Sequence, residues 1–193
     1  MRKASALGLL GALALMGMTA GNAGAYSATY DQKTTLGRDT FESKVSMKDQ
    51  LFRLESNMGG QQSIIIRNAE GTFTYMPAEG IAMKTQLRPG QGPVAGADNY
   101  EQYLQSVEAE QTGSETIDGR ACDVYRYSDP ETGETTVWVW TEKMFPIRLR
   151  SAGMQTDISN IEVGAAIPDD AFQLPPGVQV MDMGNLMGMM QQR

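Results

Sequence analysis

Turn signals punctuate this chain so regularly that little except an all-β fold can follow. From residue 26 onward, runs rich in Thr, Tyr, Val, Phe and Ile alternate with clusters of Gly, Pro, Asn and Asp, roughly 8–12 residues apart. The pattern predicts strands over 26–35, 40–48 and 51–57, divided by Gly37-Arg38-Asp39 and Asp49-Gln50. Ser63-Ile64-Ile65-Ile66, Thr72-Phe73-Thr74-Tyr75-Met76 and 81–85 follow, then 110–117, 120–128, 134–141, 145–151 and 154–163. Asp118-Gly119 is a two-residue hairpin signal, because both positions must accept positive φ. Asp129-Pro130-Glu131-Thr132-Gly133 and Ala152-Gly153 are further short links. Connections this short force antiparallel neighbours, so the expected fold class is mainly β, an antiparallel meander and not a set of βαβ units.

Two segments have helical spacing. Asp98 and Glu101 form an N-cap and N3 pair, and Tyr100, Tyr103, Leu104 and Val107 then fall on one stripe. In the C-terminal tail, Met183, Leu186, Met187 and Met190 repeat that spacing, although Gly184 and Gly188 weaken it. Pro175-Pro176-Gly177 sets this tail, residues 178–193, apart from the domain. A Gly/Pro-rich loop, Arg88-Pro89-Gly90-Gln91-Gly92-Pro93, joins the two halves of the meander.

The face pattern carries the functional information. Phe145, Ile147 and Leu149 alternate with Arg148 and Arg150, the mark of a strand with one wet face. In 137–140, however, Val137 and Val139 occupy one face while Trp138 and Trp140 occupy the other. A strand apolar on both sides needs cover on both sides. Either the sheet curls around an apolar hollow with the helix and tail as lid, or two large indoles fill a packed core.

Residues 1–25 read as a cleaved export signal: Arg2 and Lys3 first, then only Ala, Leu, Gly and Met over 6–18, then Ala23-Gly24-Ala25. That apolar stretch is too short to span a bilayer. The expected mature protein therefore starts near Tyr26, is soluble, has no transmembrane segment and resides in the periplasm. Cys122 is the single cysteine, so no internal disulfide can form. Its alternation with Val124 suits a small core residue.

Composition removes several classes of chemistry. The chain has no His, which excludes Ser-His-Asp triads, Cys-His pairs and imidazole metal sites. With 16 Lys plus Arg against 23 Asp plus Glu, the formal charge is −7 and no basic cluster is present, so nucleic acid is not an expected partner. Gly90, Gly92 and Ala95 match a dinucleotide fingerprint only formally, since no βαβ context surrounds them. Asp169-Asp170 and Glu131/Glu134 read as solvated turn charges. No nucleophile elbow or Walker loop occurs, so neither an enzyme nor a cofactor is expected.

One family likeness is carried by the second half. The run from Asp118 through Tyr125 leads to Thr136-Val137-Trp138-Val139-Trp140, then Phe145-Pro146-Ile147-Arg148-Leu149 and Ile158-Ser159-Asn160-Ile161-Glu162-Val163. It closes on Ile167-Pro168-Asp169-Asp170-Ala171-Phe172-Gln173-Leu174-Pro175-Pro176-Gly177. This resembles the closing strands of the outer-membrane lipoprotein carrier superfamily of LolA and LolB, in its uncharacterised periplasmic branch. The resemblance implies an incomplete, curved antiparallel barrel of about ten to eleven strands, with one or two short lid helices over an apolar cavity, spanning residues 26–177. It implies a lipid, an acyl chain or a lipidated protein as cargo. The residues expected to touch such a guest are Trp138, Trp140, Tyr125, Met76, Tyr103 and Leu104. Two alternatives stand beside this reading. The chain is a structural or sensory protein presenting a face to an envelope partner, or the thioethers of Met181, Met183, Met187, Met189 and Met190 bind Cu(I).

Overall fold

The computed structural model describes residues 26–85, 97–129 and 133–182. Within them, twelve strands form one large, curved and unclosed sheet. They are β1 (Ser27–Leu36), β2 (Asp39–Lys48), β3 (Leu51–Met58), β4 (Gln61–Asn68), β5 (Gly71–Met76) and β6 (Ile81–Thr85), then β7 (Glu110–Ile117), β8 (Arg120–Asp129), β9 (Gly133–Trp140), β10 (Phe145–Ser151), β11 (Met154–Val163) and β12 (Gln179–Asp182). Across the sheet the order is β12-β6-β5-β4-β3-β2-β1-β11-β10-β9-β8-β7. Each half is thus a meander, and the pairing of β1 with β11 welds the two together.

The turn chemistry explains the hairpins. Asp118 (φ 48°) and Gly119 (φ 77°) both sit in the left-handed region, as a primed two-residue turn requires. Eleven of the strands lie where the turn spacing puts them. The twelfth differs from expectation: Gln179–Asp182 pairs in parallel with β6, so the start of the C-terminal tail belongs to the sheet. The helical spacing read over 183–193 and the Gly/Pro-rich loop 86–96 lie outside the described residues, as do residues 1–25.

Strand β10 departs from simple alternation. A bulge between Pro146 and Arg148 interrupts its pairing with β9, so Phe145, Pro146 and Ile147 are all buried in succession. Phe145 and Ile147 join a cluster with Ala28, Val45, Phe52, Leu54 and Trp138. Leu149 joins a different one, with Tyr100, Leu104, Val137 and Val139. The wet face inferred from Arg148 is half-buried, because that guanidinium lies over Trp138.

Two short elements cover the sheet. Helix α1 (Ala97–Ser106) lays Tyr100 and Leu104 against Val137, Val139 and Leu149. A 3-10 turn, Asp169–Phe172, crosses β3 and β4. Arg53 donates to the Ala171 carbonyl at 3.0 Å and Asn68 donates to the Phe172 carbonyl at 2.9 Å. Lys48 pairs with Asp169 at 2.6 Å. These bonds seat the Phe172 ring in full burial.

This packing sets two expectations for stability. Phe172→Ala should cost about 3–5 kcal/mol, the usual penalty for emptying a buried aromatic site, read from the urea midpoint. Burial and, secondarily, the neighbouring Tyr103 push the Tyr100 phenol well above its ordinary value, and burial does the same to Tyr30. The folded state therefore holds these protons while the unfolded chain releases them near pH 10. Their contribution is intact below about pH 10 and is lost as pH rises beyond it. Thermal scans should show Tm falling above about pH 10, less steeply in Tyr100→Phe. At neutral pH that variant should be at least as stable as the parent, because the Tyr100 hydroxyl is buried without a partner.

Candidate functional site

Register fixes which side chains share a face. Gln32, Ser43 and Ser56 stand opposite one another across β1, β2 and β3, and Ser63 continues the row on β4. Two residues further along the same strands, Tyr30, Val45, Leu54 and Ile65 form an apolar row. On the other side of the serine row, Thr34 stands opposite Thr156, followed by Leu149, Val137 and Tyr125. By strand alternation these residues form the serine face, a polar belt between two apolar zones; the zone of Val45 and Leu54 packs into one cluster with Trp138 and Phe145, and that of Val137 and Leu149 into another with helix α1.

That belt is mostly buried. Thr34, Ser43, Ser56, Thr135 and Thr156 are the buried polar residues among those described, and all five are uncharged hydroxyls. Thr34 and Thr156 bond to each other at 3.0 Å. Ser56 donates to the Ser63 carbonyl at 3.4 Å. The hydroxyl oxygens of Ser43 and Ser63 are buried without a hydrogen-bond partner.

Helix α1 covers one of the two apolar zones. Tyr103, Leu104 and Tyr125, three of the residues singled out in the sequence, meet here. The Tyr103 hydroxyl donates to that of Tyr127 at 3.2 Å, and the two rings meet edge to face with centroids 5.8 Å apart. Burial raises the Tyr125 phenol, with Asp123 and then Glu101 adding to the shift. The other zone, on β1–β3, belongs to the cluster that also holds Trp138, Phe145 and Ile147, with Trp140 packed against it, and Tyr30 meets Phe145 edge to face with centroids 5.5 Å apart. Met76 is half-buried on β5, next along the sheet from Ser63 and away from both clusters.

Trp138 and Trp140 lie on the opposite face of β9 from Val137 and Val139, so they do not share a site with Tyr103, Leu104 and Tyr125. Trp138 is 8% exposed and its indole N–H donates to Glu115 at 2.7 Å. The guanidinium groups of Arg148 and Arg150 lie over its ring at 5.8 and 5.5 Å. Arg120 lies 5.1 Å over the half-buried Trp140. Each contact is of the cation–π type. Arg148 is paired with Asp157 and Arg150 with Gln155. The arginine partners and the serine belt were not foreseen. Alternation along β10 hinted at Arg148 and Arg150, but the bulge that sets their register has no sequence signature, and Ser43, Ser56 and Ser63 become neighbours only once β2, β3 and β4 pair.

The remaining candidates are quickly placed. Cys122 is a free, buried thiol donating to the Arg120 carbonyl at 3.3 Å, and burial pushes its pKa up, away from the reactive thiolate. An open groove of about 580 Å³ lies along β1–β4 and is lined by Ser43 and Ser56 together with Asp31, Lys44, Glu55 and Gln62. Met181 is half-buried on β12, and Met183, Met187, Met189 and Met190 fall outside the described residues. Among the described residues no group of three His, Cys, Asp or Glu is placed to hold a metal, and no helix is long and apolar enough to cross a membrane.

No family model and no curated protein matches this sequence. Solved structures do align with it. An uncharacterized conserved protein from Thermus thermophilus superposes with a TM-score of 0.57 at 11% identity, over 82% of this chain and 90% of that one. MucB in the MucA/MucB complex of Pseudomonas aeruginosa gives 0.53 at 15% identity, over 81% of this chain and 58% of that one. This chain thus spans a little over half the length of MucB. A putative outer membrane lipoprotein-sorting protein domain from Vibrio parahaemolyticus aligns at 0.40 and 10% identity, over 76% and 89% of the two chains, which is too loose to establish a common fold. At these identities the first two likenesses establish a shared architecture: an open, curved antiparallel sheet.

Proposed function

We propose that this chain is a non-enzymatic binding protein of the periplasm, exported by residues 1–25, that holds the acyl chain of a lipid or lipidated protein on its serine face. The observation that carries this reading is an apolar cluster on an unclosed sheet whose rim is only partly buried: Tyr30, Ile65, Val124 and Trp140 pack half-covered against Val45, Leu54, Trp138 and Phe145. Helix α1 belongs to the separate cluster at Val137 and Leu149. The sheet is also unclosed, which leaves a route along its face. Ile65, Tyr125, Tyr103 and Met76 are half-buried on this side and would touch the guest, with Leu104 as wall behind them. Burial of a long acyl chain at ~25 cal/mol per Å² supplies ample binding energy. The resemblance to lipoprotein carriers points the same way.

A second reading has its own observation. Trp138 and Trp140 lie under three arginines, and Trp and Arg are the residues that dominate protein–protein interfaces. MucB, which shares the architecture, was solved in complex with another protein, MucA. The Trp–Arg surface then receives an envelope protein. The tail methionines as a Cu(I) site have only Met181 among the described residues and gain no support here.

Binding of N-phenyl-1-naphthylamine, an apolar dye, followed by its fluorescence, tests the first reading. Wild type should bind it, and Ile65→Asp should weaken binding about tenfold or more while the protein stays folded. Trp140→Ala, which removes a half-buried ring packed against the same cluster as Ile65, should weaken it as well. A wild-type protein that ignores the dye and carries no acyl species in native mass spectrometry would overturn the carrier reading. Dye binding kept in both variants would overturn this site for the guest.

A further inference from the structure

Methionine is a poor fit to a strand, because its unbranched chain lacks the χ1 stiffness that favours Val, Ile and Thr on a pleated surface. Yet β5, β6 and β12, the three neighbouring strands at one end of the sheet, each place a methionine on the same face. Met83 of β6 stands directly opposite Met181 of β12 in the parallel pair. Across β5 and β6, Met83 faces Thr74 and Met76 faces Ile81. Directly paired residues share a face, so Met76, Ile81, Met83 and Met181 lie together by alternation.

These three methionines do not fill a core. Each is half-buried, and none belongs to either apolar cluster. Met47 and Met144 behave differently: the first lies inside one cluster and the second packs against the other. A half-exposed thioether is open to oxidation, a liability that Leu or Ile would avoid at the same three positions. What the thioether adds over those side chains is a soft electron pair.

The register suits a metal ion. Neighbouring strands are about 4.8 Å apart. Sulfur–metal bonds are about 2.3 Å long, so two sulfurs holding one ion in line stand about 4.6 Å apart. Met76 is the diagonal neighbour of Met83, about 7–8 Å away along the backbone, and three rotatable bonds per side chain bridge that gap. Around them on this face are Thr74, Ile81 and Gln179, all uncharged, while Lys84 and Asp182 fall on the other face. A neutral set of thioethers offers nothing to magnesium or calcium, which take oxygen ligands, and lacks the thiolate, imidazole or carboxylate that holds zinc. Soft thioethers select Cu(I).

We infer that Met83 and Met181, with Met76 as third donor, form a binding site for a soft monovalent cation of the Cu(I) type. The site shares only Met181 with the tail methionines; parallel pairing of β12 supplies the other donors from β5 and β6. It does not rest on the acyl-binding reading, which assigns no role to Met83 or Met181.

The test measures Cu(I) affinity of the mature protein, residues 26–193, by competition with a chromophoric Cu(I) chelator under ascorbate without oxygen. Native mass spectrometry with Ag(I), a soft ion of the same charge that does not cycle, counts the sites. Wild type should take up Cu(I) and Ag(I) and leave magnesium and zinc in solution. Met83→Leu/Met181→Leu keeps the apolar volume, so its Tm should stay close to that of wild type. Its Cu(I) affinity should fall at least about tenfold, the lower end of what losing even a residue behind the ligands costs a metal site. Met183→Leu/Met187→Leu/Met189→Leu/Met190→Leu should stay within about twofold of wild type. A wild-type protein that takes up neither soft ion would overturn the site, as would unchanged affinity in the strand variant. Binding lost in the tail variant and kept in the strand variant would put the ion on the tail and overturn it equally.

Discussion

Strand β9 must be covered twice, and the rest of the molecule is arranged around that demand. Four consecutive apolar residues, Val137 to Trp140, give it oily surface on both sides. Helix α1 answers on the valine side. On the tryptophan side the cover is made from the apolar cluster of Phe145, Cys122, Val45 and Leu54 together with guanidinium planes of Arg120, Arg148 and Arg150 and the carboxylate of Glu115. Arginine is suited to this because its planar, weakly hydrated head can lie on an aromatic ring without losing all contact with water. Half-exposed tryptophan would otherwise form an apolar patch of the kind that drives association. Helix α1 is thereby committed to one face only.

Most of the strand plan was legible in the sequence because its determinants are local. Asp118-Gly119, Gly37-Arg38-Asp39 and Ala152-Gly153 each force a tight reversal, and the β-branched runs between them have no competing pattern. Helix α1 was legible for a similar reason, as Tyr100, Tyr103 and Leu104 share one stripe. Three features were not. The bulge at Ile147 changes which side chains stand opposite Trp138 and Trp140, and nothing in Phe145-Pro146-Ile147-Arg148 announces it. The parallel pairing of β12 with β6 joins segments almost a hundred residues apart, a contact that no local propensity encodes. The serine belt is non-local too: each serine looks like an ordinary strand residue, and the row exists only through the registers of β2, β3 and β4. The candidate site was accordingly read in part. Tyr103, Leu104 and Tyr125 converge, whereas the two tryptophans belong to a different cluster, with Phe145, Val45 and Leu54.

An open sheet must also manage its edges, and the two ends do so differently. Strand β7 is exposed along its whole length save Ile117, is polar throughout the exposed part, and is bulged between Gln111 and Gly113. Those are the devices by which natural edge strands discourage pairing with other chains. At the other end, β6 carries Ile81, Ala82 and Met83 and is more apolar. There the chain supplies its own partner: Gln179–Asp182 returns, through the Phe172 anchor and Pro175-Pro176-Gly177, to lie alongside it. The anchor therefore does two jobs, sealing the β3–β4 surface and delivering the edge cap.

These arrangements bear directly on what the serine face can be. Closing the sheet into a barrel would have hidden both edges. Here the edges are handled separately, by charge and bulge at β7 and by β12 at β6, so closure is not needed for stability. The row of uncharged hydroxyls on β2–β4, two of them without partners, therefore lies on a sheet whose stability does not depend on closure.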